Sequence, residues 1–196
     1  MELSNRSLKK YNSILKNAEK EFIKYGFNKV TMDSIANTAN VSKVTLYKYF
    51  SDKQVLYEHI LKENYFKEFN IIEETIHSDM RFNEKIDKII KTRLAKYYSS
   101  DRLIVEKNYD QSDEMRTFIS ERTIIMESLN TKLYAQGKEE GMIRIDLTNE
   151  TITKYFEIIR SGLIANFSTL QDIQNEDLSI LFEVLYAGVL GCNKKK

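Results

Sequence analysis

Residues 31–53, T-M-D-S-I-A-N-T-A-N-V-S-K-V-T-L-Y-K-Y-F-S-D-K, constrain this chain more than any other stretch. Thr31 is suited to cap a helix, and Asp33 falls in its first turn, where the positive end of the helix dipole favours a carboxylate. Met32, Ile35, Ala36 and Ala39 follow at i, i+3, i+4 and i+7, one apolar face of a helix. Asn40 stands where the chain must reverse sharply; glycine is the usual residue for a left-handed backbone, and asparagine is second. Val41 points inward to staple the turn. Ser42 caps a second helix, whose buried side is Leu46 and Phe50. Ser51 and Gln54 have the spacing of a capping box, so a third helix is expected to start at once.

Two short helices joined by so tight a turn make a helix-turn-helix, whose second helix normally enters the DNA major groove. Lys43, Val44, Thr45, Tyr47, Lys48 and Tyr49 lie near the start of that helix or on its open side. They offer cations for phosphate or guanine, hydroxyls for phosphate oxygens, and a methyl group to meet thymine. We expect Lys43, Val44, Thr45 and Lys48 to face the bases. Thr31, Ser42, Tyr47, Tyr49 and Lys53 are expected to hold phosphates, which position a protein without reading sequence. The competing structural reading is a plain helical hairpin with a solvated basic face.

S-K-V-T-L-Y-K-Y-F-S-D-K-Q-V-L resembles the signature of the TetR (tetracycline repressor) family, in Ser42, Leu46-Tyr47, Tyr49-Phe50, Lys53 and Leu56. Upstream, Ala18, Phe22, Gly26, Phe27, Thr31, Ile35 and Ala36 match as well. The resemblance covers roughly the first third of the chain. The turn departs from it slightly, with Asn40-Val41 where the family often has Gly-Val. The resemblance implies an all-α protein: a three-helix head, a connecting helix that couples ligand state to the spacing of two heads, and a larger helical body that binds ligand and dimerises. It also implies repression, often of a neighbouring gene.

Composition agrees with an all-helical chain, for 196 residues contain no proline and six glycines. Charged residues at 30% beside 42% hydrophobic ones exclude a disordered or membrane-spanning chain. The first ten residues are polar, so no signal peptide is expected, and no apolar run reaches membrane length. A cytoplasmic location follows as the expectation. Cys192 is the only cysteine, which rules out an internal disulfide and a cysteine metal site. Through Leu56 there are ten bases and five acids, hence +5; the whole chain is +1, which leaves −4 for the rest. A basic head on a mildly acidic body suits a DNA-binding module with a separate second function.

We expect domains at residues 1–56, the DNA-binding head, and 57–196, the ligand-binding and dimerisation body. The first helix, residues 7–25, steps Ile14, Ala18, Phe22 and Tyr25 along one face; Gly26 ends it and Phe27 packs back. The fourth, residues 52–69, should seal the head with Val55, Leu56 and Ile60 and lead onward with Leu61, Tyr65, Phe66 and Phe69. Further helices are expected at 83–98, 114–138 (inner side Met115, Phe118, Ile119, Ile125, Leu129, Leu133 and Tyr134), 148–167 and 175–191, with a short segment at 103–107.

The last two helices are apolar on more than one face, and such helices must be buried on more than one face. Tyr155, Ile158, Gly162 and Ala165 on one, and Leu181, Leu185 and Gly188 on the other, are the candidate dimer interface. A two-fold four-helix bundle would bury them, as the resemblance implies; a central place in the monomer core is the alternative. Tyr97, Tyr98, Met115, Phe118, Arg122, Met126, Tyr155 and Ile159 are candidates to line a cavity for a small hydrophobic effector, with ordinary core packing as the competing reading. No charged residue among them declares a ligand class.

Enzyme chemistry finds no support. His59 and His77 stand isolated and read as surface residues, Glu139-Glu140 as solvated charges, and Gly137 to Gly141 as a helix end. No metal, cofactor or phosphate-loop motif is present. Three function classes remain, in this order: a homodimeric repressor released from a palindromic operator by a small ligand; a DNA-binding regulator or architectural factor without an inducer, controlled by a protein partner; and a helical protein–protein module that never meets DNA.

Overall fold

The computed structural model describes residues 4–98 and 111–165. Its elements are all α-helices: α1 (Asn5–Tyr25), α2 (Met32–Thr38), α3 (Lys43–Tyr49), α4 (Lys53–His77), α5 (Phe82–Tyr98), α6 (Asp113–Glu139) and α7 (Asn149–Ala165). Two compact units emerge, Met1–Asn70 with Ala95–Thr117 and Ile71–Leu94 with Phe118–Lys196. The expected segment at 103–107 and the expected last helix at 175–191 lie outside the described residues.

In the first unit, helix ends are fixed by side chains. The Ser7 N–H donates to Ser4 Oγ at 3.3 Å, so α1 begins two residues before the expected start. Its buried stripe is Ile14, Ala18 and Phe22. Gly26, with φ 78°, closes it by donating its N–H to the Phe22 carbonyl at 2.9 Å, and Phe27 then lays its ring 6.1 Å from that of Phe22. Tyr25, expected inside, is exposed beside Lys24, because the stripe runs out at Phe22.

Thr31 and Ser34 cap α2 reciprocally: the Ser34 N–H donates to Thr31 Oγ1 at 3.1 Å and the Thr31 N–H to Ser34 Oγ at 3.3 Å. At the other end, Val41 N–H donates to the Ala36 carbonyl and Asn40 N–H to that of Asn37, the paired bonds of a Schellman turn. Asn40 takes the left-handed position with φ 54°, the only non-glycine residue with positive φ among the described residues. Met32, Ile35, Ala36, Ala39, Leu46 and Phe50 form the buried side of the hairpin.

The start of α4 differs from the sequence expectation. Asp52 caps it, accepting the Val55 N–H on Oδ1 at 2.9 Å, while Ser51 donates to Asp52 Oδ2 and Gln54 turns along the helix to Glu58. The helix therefore starts one residue later than a cap at Ser51 would place it. Val55 is exposed, and Leu56, Tyr57, Ile60 and Leu61 form the inner face. Tyr57 takes the sealing role, its ring centroid 4.9 Å from Phe22 and 4.8 Å from Phe27.

The second unit is also stapled at its helix ends. The buried Lys85 ammonium donates to the Ile76 carbonyl at 2.7 Å, satisfying the end of α4, and to Gln136 Oε1 at 2.8 Å. Glu140, expected to be merely solvated, accepts the Phe82 N–H that opens α5 and the amide of Gln136. Gly141, with φ 69°, ends α6 in a second Schellman turn through Met142 N–H to the Gly137 carbonyl. Gly137 is packed so closely that a Cβ there would sit 2.8 Å from both Ile143 and Phe82. Thr148 caps α7 by accepting the Thr151 N–H. Ile72, Ile76, Phe82, Ile86, Ile89, Ile90, Leu129, Leu133, Tyr134, Ile143 and Ile152 are the buried apolar set among the described residues, whereas Ile119, expected inside, is exposed.

Candidate nucleic-acid interface

The interface residues sit on or beside two short helices whose inner sides are fully used by the core. Leu46 anchors α3, and Phe50 closes it by donating its N–H to the Leu46 carbonyl at 3.0 Å. With that side turned in, helical geometry turns Val44, Tyr47 and Lys48 out. Val44 is 82% exposed, a β-branched methyl pair standing in water on the first turn of α3. Such exposure is unexplained by folding and suits a groove contact.

The capping residues stand at the N-termini of α2 and α3. Thr31 is exposed at the first, and Ser42 at the second accepts the Thr45 N–H at 3.2 Å, with the two hydroxyl oxygens 2.9 Å apart. Helix starts carry N–H groups and positive dipole ends that favour phosphate oxygens. Lys43, at the first position of α3, reaches back across the turn to Asp33 on α2, Nζ to Oδ2 2.6 Å, with both side chains more than half exposed. The sequence reading placed Asp33 by the dipole of its own helix and missed this pairing. Ten residues separate the two, and only the hairpin brings them together.

Tyr49 and Lys53 turn toward the protein. The Tyr49 hydroxyl donates to the Ser7 carbonyl at 3.2 Å, and its ring meets Tyr11 edge-on. Lys53 Nζ donates to the carbonyls of Phe27 and Val30 at 2.8 and 3.0 Å and lies over the Phe27 ring. Two of its three N–H donors thus tie α4 to the α1–α2 loop.

Behind α3 stands a support that the sequence reading also missed. Tyr11 on α1 stacks on Phe50, and its hydroxyl lies 2.6 Å from His59 Nε2 on α4. Burial, and then the Glu63 carboxylate, push the Tyr11 phenol up, and Glu63 Oε1 lies 3.3 Å from the same His59 nitrogen, so the three side chains form one cluster. His59 is therefore part of the scaffold of the head; only its distance from Tyr11 in sequence hid this.

Met115 is buried in the first unit, and Phe118, Arg122, Met126 and Tyr155 are half-buried in the second, where the Arg122 guanidinium lies 5.6 Å from the Phe118 ring centre. Tyr155 meets Phe156 edge-on. Ile158 is 73% exposed, and a Cβ added at Gly162 would meet nothing within 4 Å among the described residues. The side chains of Tyr97, Tyr98, Ile159 and Ala165, and all of Leu181, Leu185 and Gly188, lie outside the described residues. A cleft of about 470 Å³ opens on the head between Glu21, Tyr25, Lys29, Ser34, Asn37 and Thr38, and includes none of the ligand candidates.

This hairpin, with its outward-facing α3, is that of a helix-turn-helix DNA-binding protein. Residues 14–60 match the model of the bacterial regulatory proteins, tetR family. Over 131 residues the chain is 25% identical to an uncharacterized HTH-type transcriptional regulator, YhgD, of Bacillus subtilis (strain 168), across 67% of this chain and 68% of that protein. Solved structures share the fold. The ketosteroid transcriptional regulator KstR2 of Mycobacterium tuberculosis has a TM-score of 0.71 at 16% identity, over 96% of each chain. The transcriptional regulator FadR of Bacillus subtilis, in complex with stearoyl-CoA, has a TM-score of 0.69 at 22% identity, over 91% of this chain and 97% of that one. Over residues 14–60 the chain is thus similar to the tetR family of bacterial regulatory proteins, and beyond them it shares the fold of those solved regulators.

Proposed function

We propose that this regulator is a cytoplasmic homodimeric repressor that binds a palindromic operator through α3 and is released by a small hydrophobic ligand. The observation that carries the DNA-reading part is the solvent-facing set Lys43, Val44, Tyr47 and Lys48, held on a helix whose other side is fixed by Leu46. In this reading Lys43, Val44, Thr45 and Lys48 meet bases. Thr31, Ser42 and Tyr47 hold phosphates, and Lys53 and Tyr49, turned toward the protein, serve DNA binding by positioning the head. Residues 1–56 serve as head and 57–196 as ligand-binding and dimerisation body.

Dimerisation draws support from Ile158 on α7, a large aliphatic side chain left 73% exposed, which suits burial against a second copy. Two heads on a two-fold axis would read half-sites about a helical turn or a multiple of it apart. The stearoyl-CoA held by FadR supports a long-chain, largely apolar effector for this chain. Candidate contacts are Met115, Phe118, Arg122, Met126 and Tyr155, with Tyr97, Tyr98 and Ile159.

Selection of bound duplexes from a random library at two salt concentrations tests the proposal. The expected result is a palindrome whose affinity falls steeply with salt. Recovery of unselected, salt-sensitive DNA would replace it with an architectural role, and no recovery would reject DNA binding. Release of the selected duplex by acyl-CoA or free fatty acid tests the effector.

A further inference from the structure

A carboxylate among residues that meet a polyanion needs a reason. Asp33 lies on α2, two residues after the Thr31 cap, and is more than half exposed, so no burial demands its charge. Its partner is Lys43, the first residue of α3 and a cation of the reading set, at 2.6 Å across the hairpin. We propose that Asp33 is a specificity-determining residue of the DNA interface, which holds the Lys43 ammonium away from phosphate until a correct base offers it acceptors. The inference rests on the reading of α3 as the DNA-facing helix.

Sequence-independent affinity comes from cations that displace counterions along the phosphates. A lysine already neutralised by a carboxylate adds little to that term, and the carboxylate itself is repelled by the DNA backbone. On unrelated DNA the Lys43–Asp33 pair therefore withholds one phosphate contact. On the operator, guanine O6 and N7 can accept from Lys43, and a cytosine amino group can donate to Asp33. The cost of opening the pair is then repaid only where those base atoms are present. Fold stability asks little of the pair, since exposed ion pairs of this kind contribute weakly.

The test compares wild type, Asp33→Asn, Lys43→Ala and the double variant. Each is titrated with the duplex recovered by selection and with a random-sequence duplex of equal length, over a range of salt. Asp33→Asn should bind the random duplex more tightly, by roughly threefold between low and moderate salt, with a log K–log salt slope steeper by about 0.9, one phosphate contact. Its preference for the selected duplex should fall. In the Lys43→Ala background the same change should not steepen the slope, because there is no ammonium to release. Equal gains on both duplexes, an unchanged slope, or the same gain without Lys43 would overturn the role of Asp33 while leaving α3 as the DNA helix. A wild type that binds neither duplex would overturn both.

Discussion

Glu58 holds the start of α6 through Ser112: its carboxylate accepts the Ser112 N–H at 2.9 Å and the Ser112 hydroxyl at 2.5 Å. Glu58 is only 6% exposed, and Gln54 donates to it as well. Ser112 in turn caps α6 by accepting the Met115 N–H at 3.0 Å. A buried carboxylate is tolerated in α4 because its oxygens are met by donors, including one of the N–H groups that a helix start leaves unpaired.

Glu58→Ala should therefore destabilise the protein by about 1.5–3 kcal/mol, the range for hydrogen bonds to a charged group. Ser112→Ala should cost about 1 kcal/mol as a lost cap. Chemical denaturation of both variants and the double variant checks this; strictly additive losses would mean that the two residues do not act together.

Gly137→Ala should also be costly, although alanine is the better helix former. Its Cβ would sit 2.8 Å from Ile143 Cδ1 and from Phe82 Cε2. Overpacking of this kind costs roughly 1–3 kcal/mol. A melting temperature at or above that of wild type would show that both neighbours can move aside.

Lys48 and Lys53 should behave differently when replaced by alanine. Lys53 ties α4 to the carbonyls of Phe27 and Val30, so its loss should lower thermal stability and weaken all DNA sites alike. Lys48 is exposed on α3, and its loss should leave the melting temperature unchanged while altering which half-site is preferred. Thermal melts run beside binding assays separate the two effects.

Glu140 gives the second unit a sensitivity to acid. The Gln136 amide, and then the Phe82 N–H, hold its carboxyl below the usual value of 4.5. A carboxylate so lowered contributes stability that is complete above the unfolded value and is lost as pH falls through the folded one. Glu140→Gln should melt below wild type at neutral pH, and the gap should close as pH drops below 4.5. A gap independent of pH would assign the difference to shape rather than charge.

The head was largely legible from sequence because its signals are local. Thr31, Ser42 and Asn40 act within a few residues of themselves, and the Ile35, Ala36 and Leu46 pattern follows from helical period alone. What the sequence hid was mostly long-range. Asp33 with Lys43, Tyr11 with His59, Lys53 with Val30 and Glu140 with Phe82 are each set by tertiary folding, and no spacing rule announces them. Val55 misled because it stands about 100° around the helix from Leu56, which with Ile60 keeps its expected place on the inner face. The candidate body residues are aromatic or apolar side chains at helical spacing, a pattern that core packing produces as readily as a binding cavity.

Repeating the duplex selection with Lys48→Ala tests most directly whether α3 reads DNA. The account predicts a folded protein that still recovers a palindrome, with preference changed at one or two positions in each half-site. Recovery of the wild-type site at wild-type affinity would contradict it, because a residue central to the outward face of α3 would then make no contact that distinguishes one base from another.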